Sequence, residues 1–136
     1  MYNAPRINIL FGFNKDDYGD FDQEAVTKAL EIQPDISHGS TILPNGTIKP
    51  AGWGIELALI SCWTIQEALD ELEKRLLGKT KAVHEICKQL DLRSTLGIYV
   101  HCPGGELPAL VIAPKSLLFW GNMGTAIGID LYIDEA

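Results

Sequence analysis

The chain has 136 residues, 46% of them hydrophobic and 21% charged, with a formal net charge of −7. That is the size of one ordinary domain able to bury about two thirds of its unfolded surface, and three Trp, four Tyr and four Phe argue against disorder. No apolar run reaches the roughly 18 residues of a membrane helix, the N-terminus lacks the pattern of a signal peptide, and three cysteines leave one unpaired in any disulfide scheme; the expectation is a reduced, cytoplasmic, single domain over 1–136.

Arg6 to Phe13 alternates, with Ile7, Ile9, Phe11 and Phe13 on one side and Asn8, Leu10 and Gly12 on the other. This predicts a strand with one buried face. A polar loop follows, and Asp20 with Gln23 has the spacing of a capping box. A helix is expected from there to about Ile32, burying Ala25, Val26, Ala29 and Leu30, with Pro34 as its stop. Residues 33–52 are rich in Pro and Gly and read as a long loop, with a tight turn or hairpin at Asn45-Gly46. Trp53 to Ile60 is the second strand: Trp53, Ile55, Leu57 and Leu59 face the core, and Gly54, Glu56, Ala58 and Ile60 face away.

Thr64 and Glu67 form a second capping box, and Ile65, Leu69, Leu72 and Leu76 repeat at helical spacing. Asp70–Lys74 and Glu71–Arg75 are acid-first pairs at i, i+4, and Gly78 fits a left-handed stop. A further helix, Lys79 to Leu90, buries Val83, Ile86, Cys87 and Leu90. Leu96 to Cys102 alternates again, with Gly97, Tyr99 and His101 pointing outward. Pro108 to Ala113 suits a short edge strand, Pro114 the start of a short helix broken at Gly121 and Gly124, and Thr125 to Asp134 a last strand with Ile127, Ile129, Leu131 and Ile133 inward. Alternation in four strands argues for a sheet covered on one face, hence α+β: two layers, a mainly antiparallel sheet with helices packed on one side.

The charge is uneven. Residues 16–73 carry −10, residues 74–93 carry +4, and residues 94–136 carry −3. An acidic surface repels phosphate backbones, which argues against nucleic acid, and it attracts a basic protein partner. A modest negative charge also serves solubility alone.

Several features occur in a set order: a first strand ending in an acidic loop, a capped helix, Ile32-Gln33-Pro34 before a glycine-containing loop, a Trp-led strand at Trp53-Gly-Ile-Glu56, a long charged helix, Pro114-Lys-Ser-Leu-Leu, and Ile129-Asp-Leu-Tyr-Ile133. In that order they resemble the bacterial domain-of-unknown-function family numbered 4279, from about Ile7 to Ile133. The resemblance implies a small bacterial domain, brings no catalytic residues with it, and by analogy admits an immunity-like role beside a toxin.

No motif in the sequence calls for a cofactor or names a catalytic residue. The chain contains no Gly-x-Ser-x-Gly elbow, Walker loop or dinucleotide fingerprint. A zinc site from His84, Cys87, His101 and Cys102 fails on direction, because adjacent strand residues point to opposite faces. Strand parity does gather Asn8, Leu10, Glu56, Ala58, Tyr99, His101, Asp130 and Tyr132 on the open sheet face. Of these, Glu56, Tyr99, His101, Asp130 and Tyr132 are candidates for binding a ligand or partner, and Glu56 with His101 could do acid–base work if they met. A solvated face with no task accounts for the same residues, and an open face can also form a homodimer. Asp16, Asp17 and Asp20, with Tyr18 and Asp22 and with Trp63 or Trp120 nearby, form a candidate acidic rim for a basic partner. Capping by Asp20 and core packing by both Trp residues explain that rim more plainly. The function expected is a non-catalytic protein-interaction domain, with a small-ligand or enzymatic site on the open face as the alternative.

Overall fold

The computed structural model describes residues 4–17, 19–60 and 63–134, with the backbone alone for Leu59 and Ile60. In chain order the elements are β1 (Arg6–Asn14), α1 (Gln23–Leu30), β2 (Ile36–His38), β3 (Thr41–Ile42), β4 (Ile48–Lys49), β5 (Gly52–Ile60), α2 (Ile65–Arg75), α3 (Thr80–Leu90), β6 (Arg93–Cys102), α4 (Pro114–Asn122) and β7 (Ala126–Ile133). Five strands form one sheet in the order β2-β5-β1-β6-β7, and β3 and β4 form a separate hairpin. All neighbours in the large sheet are antiparallel except β6 and β7. That parallel pair needs a crossover, which α4 supplies. The fold is α+β, as the alternation predicted.

The central strand shows why. Ile7, Ile9, Phe11 and Phe13 are buried, and their partners Trp53, Ile55, Leu96, Ile98 and Val100 join them on the same face. Val26 and Leu30 of α1, Ile65, Ala68, Leu69 and Leu72 of α2, Val83 and Ile86 of α3, and Trp120 of α4 close over that face. Phe11 is the aromatic centre, with its ring 5.2 Å from Phe13 and 5.7 Å from Trp120. Trp53 packs 5.5 Å from Phe13 and satisfies its indole N–H on the Thr27 hydroxyl at 2.9 Å. A half-buried polar cluster clamps α4 to α2. The Gln66 side chain receives the Ala113 N–H and donates to Ser116 and Asp70, while Ser116 and the Trp120 indole donate to the Glu73 carboxylate.

Thr64 caps α2 by accepting the Glu67 N–H, Gly78 takes the left-handed conformation (φ 78°) between α2 and α3, and the hairpin turns at Asn45-Gly46 with Gly46 at φ 85°. Other expectations are corrected. The cap of α1 is Asp22, which accepts the Ala25 N–H, because the Asp20 carboxylate is already taken by the Phe21 N–H and the Gln23 amide. Glu31 ends that helix in the left-handed region before Pro34 is reached, and Ala29 faces solvent. Residues 108–113 form a single bridge, Ala109 to Thr64, rather than a strand, since Pro108 and Pro114 withdraw two donors. Gly121 lies inside α4, and Leu117 and Leu118 are exposed on it.

Glu71 pairs with Lys74 at i, i+3 within α2, while Asp70 pairs with Lys115 of α4 and Arg75 with Asp35, so the bonds formed are not the i, i+4 ones. In β7, Ile129, Leu131 and Ile133 share the parity of the covered face yet stay exposed: β7 is the sheet edge, and the helices reach only as far as half-buried Ile127.

Candidate functional site

Register lines up the open face in rows across the sheet. Gly54, Gly12, Thr95 and Ala126 form one row, and Glu56, Leu10, Gly97 and Gly128 the next. Ala58, Asn8, Tyr99 and Asp130 follow, then Arg6, His101 and Tyr132. The first two rows are therefore floored largely by glycine backbone. Where side chains are missing, a groove of about 640 Å³ opens, with Leu10, Ile36, His38, Pro50, Tyr99 and Asp130 among its walls.

At Gly12 the close approach of two strand backbones requires glycine. A Cβ on Gly12 would stand 2.7 Å from the Trp53 carbonyl oxygen, so β1 and β5 could not run this close with alanine there. Over the other glycines, neighbouring side chains lie flat. Added Cβ atoms would meet Leu10 at 2.9 Å from Gly54, the Tyr99 hydroxyl at 2.8 Å from Gly97, and the His38 imidazole at 3.0 Å from Gly52. Gly128 differs, since nothing lies within 4 Å of the point where a Cβ on it would stand. It is the open part of the floor.

The residues expected on this face are partly brought together. Tyr99 and Asp130 are direct neighbours across β6 and β7. His101 and Tyr132 are too, and their rings stack with centroids 4.8 Å apart and planes 13° from parallel. Glu56 stands apart. With β1 between them and four residues along, Glu56 and His101 are on the order of 16 Å from each other, so they do not form an acid–base pair. Leu10 partly covers this face by lying over Gly54.

Side chains of the acidic rim are engaged within the chain. Asp16 bonds Arg93 at 2.6 Å, and Asp17 accepts the Gly19 N–H at 2.8 Å. Asp20 accepts from Gln23 and from the Phe21 N–H, and these bonds hold its carboxyl below the usual range. Gln23 also donates to the His38 carbonyl at 3.1 Å, which ties this loop to the groove wall. Trp120 is in the core, and Trp63 lies at the opposite end of the sheet from Asp16, beyond the Arg6–Ile60 pairing. Tyr18 lies outside the described residues.

A second depression of about 680 Å³ lies between α2 and α4. Its acids are already engaged: Glu67 by the Thr64 hydroxyl, Asp70 by Lys115, Glu71 by Lys74, and Glu73 by Ser116 and Trp120. Among the described residues no three His, Cys, Asp or Glu side chains gather to hold a metal. Of the four ligands weighed for zinc, His84 bonds the Asn122 carbonyl, while burial pushes the Cys87 and Cys102 thiols up.

Sequence reasoning missed Ile36, His38 and the groove itself. The available signal was glycine at the outward parity of every long strand: Gly12, Gly54, Gly97 and Gly128.

Together the fold and the groove define a two-layer α+β domain with one sheet face left open. Residues 7–134 match the family described as a domain of unknown function, DUF4279, and the chain belongs to that family. No curated protein and no solved structure matches it.

Proposed function

We propose that the protein is a non-catalytic binding domain that recognises its target through the glycine-floored groove. The observation that carries this is the groove itself: an apolar trough with a few polar groups, His38, Tyr99 and Asp130, along its walls. The target is a protein that inserts an apolar group flanked by positive charge. Asp130 stands at the groove, and the net charge of −7 speeds encounter with a basic surface. An immunity-like role, in which that protein is a toxin, is the narrowest form of this reading.

Gly128→Val tests it. A Cβ at this position has no atom within 4 Å, so the fold should be kept while the branched side chain narrows the groove. Affinity capture from the source cells should recover a basic protein on the native chain and lose it on the variant. A protein held equally by both would place recognition elsewhere. The groove volume of about 640 Å³ also suits a small ligand. A thermal-shift screen against amphipathic compounds, repeated on Gly128→Val, tests that second reading.

A further inference from the structure

The two edges of the large sheet are finished differently. On the β5 edge, β2 pairs as far as Gly54, and beyond it charged side chains take over. The Asp35 carboxylate accepts the Glu56 N–H at 2.7 Å, and Arg75 donates to the Glu56 carbonyl at 3.5 Å while standing 3.8 Å from Asp35. Such charges are a usual way to keep an edge from pairing with another chain.

Among the described residues, no charged side chain bonds the backbone of β7 in this way. Among the described strands β7 pairs only with β6. From Ser116 to Ile133 the only charged residue is Asp130. Ile129, Leu131 and Ile133 are 39, 43 and 51% exposed on the helix side, and Tyr132 is 48% exposed on the other. An apolar strip poor in charge is the composition of an interface centre.

We propose that β7 pairs antiparallel with β7 of a second copy across a two-fold axis, joining two sheets into one. A second copy fits because the strip is complementary to itself in one register, and its charge selects that register. With the axis normal to the sheet, residues opposite one another share a face, so each register is centred on one residue. Centring on Asp130 sets that carboxylate against itself, and centring on Tyr132 sets Asp130 against Asp134. Both oppose like charges. Centring on Ile129 spends Leu131 and Ile133 on half-buried Ile127 and buried Thr125. Centring on Leu131 sets Leu131 against itself, Ile129 against Ile133, and Asp130 against Tyr132, so exposed apolar meets exposed apolar and no acid faces an acid. It also brings Tyr132 of the second copy beside Asp130 at the groove wall.

Light scattering on the full chain tests this. The native chain should show twice the 14.9 kDa of one copy at high micromolar concentration. Leu131→Lys places two ammonium groups face to face at the axis and should halve the mass with an unchanged far-UV spectrum. Leu131 lies on the opposite sheet face from the groove, so the substituted side chain itself stays out of the groove. On mild oxidation, Leu131→Cys should form a covalent dimer above the background given by the native cysteines, and Asp130→Cys should not. A monomeric native chain, a dimer that survives Leu131→Lys, or cross-linking through Asp130→Cys instead of Leu131→Cys would each overturn the proposal.

Discussion

The two faces of the large sheet are made from alternate residues of the same strands, and they solve the space above the backbone in opposite ways. The covered face fills it: Phe11 and Trp53 are fully or almost fully buried beneath the helices, and Trp120 of α4 packs down onto Phe11. The open face empties it, with glycine at Gly12, Gly54, Gly97 and Gly128 and with Leu10, Tyr99 and His38 folded flat over the gaps. One face therefore stores stability in side-chain volume, and the other makes a groove from the absence of side chains. Substitutions should accordingly have opposite signs of sensitivity: loss of volume should hurt the first, and gain of volume should hurt the second only where the space is taken.

The largest effect is expected from Phe11→Ala. The ring is fully buried between Phe13 and Trp120, so truncation should cost about 3–5 kcal/mol, read as a fall in the urea midpoint. That is a large part of the roughly 5–15 kcal/mol that holds a domain together. Next comes Gly12→Ala on the open face. Its Cβ would press on the Trp53 carbonyl oxygen, which is backbone and cannot swing away, and the cost should be about 1–3 kcal/mol. A Gly12→Ala variant as stable as the native chain would show that β1 and β5 are not closely apposed.

Gly97→Ala should cost less, about 0.5–1.5 kcal/mol, because the atom it meets is the far end of the Tyr99 side chain. The ring should turn off the floor, and a change in Tyr99 ring chemical shifts would report it. Gly128→Ala should reverse the sign and gain about 0.5–1 kcal/mol, since it stiffens a strand residue and meets nothing. A loss of stability there would mean that the floor at β7 is already filled.

How far each face can be read from sequence follows from the same contrast. Ile7 to Phe13 and Leu96 to Cys102 show their covered face through alternation, and Thr64 with Glu67 marks the start of α2 by local hydrogen bonding. These signals are local in the chain. The groove is not, because its glycines sit on separate strands and become a floor only through the order β5-β1-β6-β7. The short β2 is hidden for another reason: three residues between Pro34 and Gly39 carry no period. In β7 the alternation is as clear as in β1, yet parity says which way Ile129 and Leu131 point and not whether a helix extends over them. Likewise Glu56 and His101 share a face by parity, and only the interposed β1 separates them.

The smallest expected effect concerns what holds the covering layer in place. Lys115 of α4 bonds Asp70 of α2 at 2.8 Å. That bond, followed by the one from Gln66, holds the Asp70 carboxyl below its ordinary value of 3.8, and the same carboxylate raises the Lys115 ammonium above 10.5. A carboxyl whose folded value is depressed stabilises the fold above its unfolded value and loses that contribution as pH falls through the depressed one. The lysine works in reverse: its contribution is complete below 10.5 and is lost as pH rises through its raised value. The pair should therefore show at both ends of the pH range and not between them. Both groups are largely in solvent, so the effect is small and should shrink further in high salt. In Lys115→Met the acid limb of the stability profile should move toward higher pH and the alkaline limb should lose the lysine's part, while the stability ranking of the Gly12, Gly97 and Gly128 variants stays unchanged. If Lys115→Met altered that ranking, the two faces would be coupled through the helix layer and could not be treated as independent.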